Sequence, residues 1–139
     1  MINPVTGEFL TDAGFAVQPQ LSEATFLATA LGGKSAHRPM GKEHSTYELP
    51  RPQVAVGREW VVWLSFASGR LKSISLALSR GGGGTWADWS EAEELALKEE
   101  HDRILLGFLG QPPYQFAWGE VFSTYDPRSG SADIGISFK

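Results

Sequence analysis

The chain has 139 residues, an apolar fraction of 42%, a charged fraction of 20% and a net charge of −4, from 12 Lys plus Arg against 16 Asp plus Glu. That is ordinary composition for one globular domain over residues 1–139, large enough to bury a core without a disulfide or metal. The absence of cysteine excludes disulfide scaffolds, zinc-thiolate sites, iron–sulfur clusters and thiol catalysis, and the lack of a large basic field argues against general nucleic-acid binding.

No apolar run approaches the ~20 residues that cross a bilayer, so no membrane partner is expected. The start, "MINPVTGEFL", has no basic segment followed by an apolar core, so it does not read as a signal peptide, and the expected location is cytoplasmic.

"TGEFLTDAGFAVQP" (Thr6–Pro19) reads as two short strands around an Asp12-Ala13-Gly14 turn. "LSEATFLATALGG" reads as one short helix: Ser22 caps its N-terminus, Leu21 and Phe26 occupy the staple positions, and Gly32 and Gly33 stop it. Lys34 to Gly41 is expected to be a loop. With Lys42 and His44, its Lys34, His37 and Arg38 form a small basic cluster that reads as a solvated surface or as a receiver for an anion or acidic partner. "HSTYEL" (His44–Leu49) is the next strand, closed by Pro50 and Pro52.

"EWVVWLSFA" and "GRLKSISLAL" form a hairpin turning at Ser68-Gly69-Arg70. In the first, Trp60, Val62, Leu64 and Phe66 share one face, while Val61 and Trp63 sit on the other. An antiparallel strand that is apolar on both sides needs two covers. Helices supply one. For Val61 and Trp63 the second cover is a subunit partner, a ligand, the N-terminal hairpin folding over, or burial of the strand within the monomer. Trp118 and Phe122 of the last hairpin are expected to join them.

"SRGGGGTWADWSEAEE" (Ser79–Glu94) is the most motif-like stretch. A phosphate loop needs G-x-x-x-x-G-K-[ST], and here no lysine follows the glycines. The dinucleotide fingerprint needs G-x-G-x-x-G in a parallel unit, and the spacing fails. Ser90 and Glu93 instead make a capping box, and Glu91, Glu93 and Glu94 complement the helix dipole. The glycines therefore read as a strand-to-helix connector, with Trp86 and Trp89 folding over the end of the core as a lid. No nucleotide or other cofactor is expected.

The long helix runs from about Glu91 to Leu109, with Leu97, His101, Ile104, Leu105 and Phe108 on one stripe, Glu93, Glu94, Glu99, Glu100 and Asp102 solvating much of the rest, and Gly110 and Pro112-Pro113 ending it. "FAWGEVFSTY" and "ADIGISFK" close the chain as a hairpin around "DPRSGS", with Ile134, Ile136 and Phe138 on one face. The order of elements gives a two-layer α+β domain: a mostly antiparallel sheet with one short and one long helix packed on one face.

No residues assemble a catalytic or metal site. His37, His44 and His101 form neither H-x-H nor H-E-x-x-H. In "EEHD" (Glu99–Asp102) adjacent side chains diverge by ~100° on a helix, so His101 reads as a satisfied, partly buried histidine. "YDPRSGS" has the residues of a type I turn with a left-handed exit rather than of a nucleophile.

The second half, with W-x-x-W-S, "EEHDRILLGFLG" and "WGEVFSTYDPRSGSADIGISF", resembles small uncharacterised bacterial α+β proteins over about Thr85 to Phe138, some of them of immunity or toxin-neutralising type. That resemblance implies a small, acidic, non-enzymatic protein. The leading expectation is a protein-binding protein whose partner is another protein or a second copy of itself, with Val61, Trp63, Trp86, Trp89 and Trp118 as binding residues. The alternative is a small enzyme or ligand-binding protein with its pocket between the sheet and the Trp86/Trp89 region.

Overall fold

The computed structural model describes residues 1–39, 41–79 and 90–139. The glycine run 81–84, Trp86 and Trp89 lie outside the described residues, and with them the connector and lid readings.

The N-terminal hairpin forms as expected, with β1 (Phe9–Leu10) antiparallel to β2 (Ala16–Val17). The expected single short helix is two. In α1 (Glu23–Leu27) the Ser22 hydroxyl accepts from Thr25 N–H at 3.1 Å. Thr29 then turns extended, with φ −78° and ψ 159°, and its hydroxyl caps a new turn, α2 (Ala30–Gly33), accepting from Gly32 N–H at 2.9 Å. A second cap inside the run ends the first helix, so Gly32 and Gly33 lie within a helix rather than beyond one.

The expected loop from Lys34 contains a strand, β3 (Ala36–Pro39), paired with β4 (His44–Glu48). All of β3 is exposed, so no apolar alternation announces it. Two three-residue strands are likewise too short for alternation to announce them. β5 (Gln53–Ala55) turns through Val56 and Gly57, at φ 52° and 70°, into β6 (Arg58–Ala67). β8 (Tyr114–Phe116) precedes β9 (Gly119–Asp126). The β6–β7 hairpin turns at Ser68 and Gly69, both at positive φ (51° and 79°), the type I′ geometry that matches strand twist. β7 is Arg70–Leu78 and β10 is Ser131–Phe138.

These strands make one antiparallel sheet in the order β3-β4-β6-β7-β10-β9-β8, with β5 paired to β6 beyond the end of β4. Its core face is built in rows. Tyr47, Leu64, Ile74, Ile136, Val121 and Tyr114 lie side by side across six strands, and Val62, Leu76 and Ile134 form the next row. Trp60, Leu64, Leu76, Ile134 and Ile136 have no exposed surface.

The long helix α3 (Glu91–Leu109) has the expected limits and crosses this face over β7, β9 and β10. Phe26 of α1 packs on the same face against Tyr47 and Phe66, at ring separations of 5.4 and 5.6 Å. The architecture is therefore the expected α+β sheet with its helices on one side.

Two residues of α3 depart from the expected pattern. Glu94 is buried rather than solvating, because its carboxylate accepts from the Ala132 N–H of β10 at 3.1 Å. Phe108 is 45% exposed, since the last turn of the helix reaches the rim beside Val56 and Arg58.

Ser90 caps α3 from extended backbone, its hydroxyl accepting from Glu93 N–H at 3.4 Å. Ser90→Ala is expected to lower stability by about 0.5–2 kcal/mol, read as a shift in the denaturant midpoint at unchanged slope.

Candidate functional site

The second face of the sheet carries the residues picked out by alternation. Val61 and Trp63 are half-buried, and neither packs against the core cluster. Strand register then assembles a row that includes Phe122, as expected. Glu48 of β4 lies beside Trp63 of β6, Trp63 beside Ser75 of β7, Ser75 beside Gly135 of β10, and Gly135 beside Phe122 of β9. Trp63 is held in place by its indole N–H, which donates to the Glu48 carboxylate at 2.9 Å.

At the other end Phe122 is 39% exposed and its ring leans over Gly135. A Cβ at Gly135 would stand 2.4 Å from that ring, so only glycine permits this approach. The row thus has Trp63 at one side and Phe122 laid over Gly135 at the other, with Ser75 between them.

The surrounding surface is hydroxyl-rich. Asp133 accepts from Ser75 Oγ at 2.6 Å and from Thr124 Oγ1 at 2.9 Å, and Thr46 and Ser65 are hydrogen-bonded at 3.0 Å. These polar groups are paired with one another, so the face has aromatic area to offer and a satisfied polar surround.

Trp118 does not join this face. It stands in the β8–β9 turn, stacked on Phe116 at 5.0 Å and tilted over Phe138, and its indole N–H donates to the Pro4 carbonyl at 2.9 Å. Gly7 lies directly against its ring. Trp118 therefore ties the N-terminal segment to the last hairpin. That segment also answers one of the candidate covers for Trp63. Ile2, Phe9 and Val17 belong to the same core cluster as Trp60, and Asp12 bonds to the β5 turn, so the N-terminal hairpin lies with the core and not over Val61 and Trp63. Trp86 and Trp89 lie outside the described residues.

His101 is wholly buried, stacked on Trp60 at 5.7 Å. Its Nε2 accepts from Leu78 N–H at 3.2 Å, so the neutral ring carries its proton on Nδ1, which has no hydrogen-bond partner among the described residues. Burial pushes its pKa down to about 4, against the opposing pull of Asp133, Asp102 and Glu100.

Tyr47 has no free hydroxyl either. It donates to the Glu23 carboxylate, its ring stacks on His37 at 4.8 Å, and burial, then Glu23, raises its pKa to about 12. The basic residues expected in a loop are distributed on and around the β3 edge instead, with His37 laid against Tyr47. Among the described residues no group of three or more His, Asp or Glu side chains is placed to hold a metal ion, and no helix is long and apolar enough to cross a membrane.

The chain matches no family model, no curated protein and no solved structure.

Proposed function

We propose that the chain is a non-enzymatic protein-binding protein and that the sheet face around Trp63, which no element among the described residues covers, is its association surface, met by a second copy of the chain. The observation that carries this reading is the Trp63–Ser75–Gly135–Phe122 row, which sets two large rings on one face of the sheet. A two-fold related copy of the same row would cover Trp63 and the exposed side of Phe122 and have its own rings covered in return. Apolar area left in water is unfavourable by roughly 25 cal/mol per Å², so rings of this size are stabilised by cover. The acidic, cysteine-free composition and the resemblance of the second half to small proteins of immunity type support an interaction role over catalysis.

Trp63→Glu tests it. The side chain is half-buried and outside the core cluster, so the variant is expected to fold. A charge on each side of the two-fold axis would repel and stay desolvated, so the variant sediments as a monomer under conditions where the parent is a dimer. Equal sedimentation of variant and parent would remove Trp63 from any interface.

A further inference from the structure

β9 pairs with β10 along its whole length, Gly119 to Asp126, but β8 covers only Gly119, Glu120 and Val121. From Phe122 to Asp126 the outer edge of β9 has no strand partner among the described residues. β8 and β9 are joined by the two residues Ala117 and Trp118, closing on the pair Phe116 and Gly119. The closing pair of such a hairpin is hydrogen-bonded, and the bonding positions then alternate. Continuing that alternation, Ser123 and Tyr125 aim their main-chain N–H and C=O groups at the bare side.

A groove of about 580 Å³ opens at the start of this edge, where Phe122 and Ser123 line it together with α3 and the segment from Gln111 to Gln115. Leu106, Pro113, Tyr114 and Val121 give it apolar walls, and Leu106 is 46% exposed. Ser123 Oγ in its lining is sealed from solvent and faces the Asp102 carboxylate, which it helps hold below the usual carboxylate range. The groove's own charges are largely matched: Lys98 bonds Asp102 at 2.9 Å and Arg103 bonds Glu100 at 2.6 Å. That leaves Glu120 toward one end of the bare edge, and Glu91, which accepts from Tyr125 at the other, as carboxylates without a basic partner among the described residues.

We propose that the Phe122–Asp126 edge is a strand-addition site for an extended segment of a partner protein, alternating apolar and polar residues and carrying basic residues toward its ends. The proposal rests on the protein-binding reading and shares Phe122 with the Trp63 row, but it uses the main-chain edge of β9 and the groove on the α3 side rather than the face that carries Trp63. Main-chain groups repeating along an edge are satisfied by another strand and by little else. Alternate side chains of that strand enter the groove over Leu106 and Tyr114, while basic residues meet Glu120 and Glu91. A second copy fits this edge poorly. It would bring the same unmatched carboxylates against one another and would offer Ser123 and Tyr125, not an aliphatic side chain, to Leu106.

The probe is a phage-displayed library of linear random peptides selected on the folded chain, with the enriched peptide then synthesised and its binding followed by amide hydrogen exchange. The expected peptides alternate apolar and polar residues and carry Lys or Arg toward their ends. Saturation slows exchange at Ser123 and Tyr125 by about tenfold or more and leaves the opposite edge, Ala36 to Pro39, unchanged. Leu106→Asp, at an exposed position, weakens binding about tenfold or more, whereas Trp63→Glu leaves the peptide bound even though it abolishes self-association. The proposal is overturned if no peptide is enriched, if protection appears elsewhere, or if Leu106→Asp binds equally well. It is also overturned if Ser123 and Tyr125 are already protected in the chain alone in proportion to its concentration, since a second copy would then occupy the edge.

Discussion

Trp60→Ala is expected to destabilise the chain by about 3–5 kcal/mol, the range for emptying a large aromatic site in a packed core. Trp60 has no exposed surface, and its ring is stacked on His101 at 5.7 Å. Its indole N–H donates to the Ala55 carbonyl at 3.0 Å, which joins β5 to β6 behind the tight Val56-Gly57 turn. The substitution therefore opens a cavity under α3 and leaves the acceptor on buried Ala55 without its donor. Trp60→Phe retains most of the ring and loses the hydrogen bond, so it is expected to cost less than half as much. Denaturant titration of both variants checks the order. Equal midpoints for parent and Trp60→Ala would place the centre of the core elsewhere.

Acid is expected to weaken the fold through His101. Its folded pKa is lowered to about 4, mainly by burial, against 6.5 as the ordinary value. Between those values the unfolded chain takes up a proton that the folded chain refuses, so unfolding is favoured as the pH falls. The contribution is complete above about pH 6.5, declines below it and is exhausted near pH 4, for a total of about 3 kcal/mol. Protonation at Nε2 would also displace the Leu78 N–H that donates to it. His101→Phe keeps a ring over Trp60 but does not titrate. Its stability is expected to be flatter than the parent's between pH 4 and 6.5. Equal slopes in the two proteins would show that His101 is accessible to protons in the folded state.

What was legible in the sequence follows from where the physical signal is local. Ser90 and Gly110 bracket α3 because a cap and a positive-φ glycine act within one turn of the helix. The faces of β6, β7 and β10 follow from alternation alone. β3 was hidden because an edge strand with every residue exposed has no apolar face, and its Lys, His and Arg read as a loop. Glu94 was hidden because its partner is a main-chain N–H of β10, which no side-chain pattern reports.

The same division applies to the candidate site. Val61 and Trp63 were found by alternation within one strand. Phe122 was expected beside them, but the register that brings it there runs through β10, inserted between β7 and β9, a pairing order that the sequence of elements leaves open. Trp118 was misplaced because its ring is claimed by Pro4 and Gly7 at the far end of the chain.

The most direct test of the association surface is sedimentation equilibrium of the unsubstituted chain over a wide concentration range. The account predicts a reversible approach to twice the mass of the 15.1 kDa chain. A single species of monomer mass at the highest concentration would contradict it.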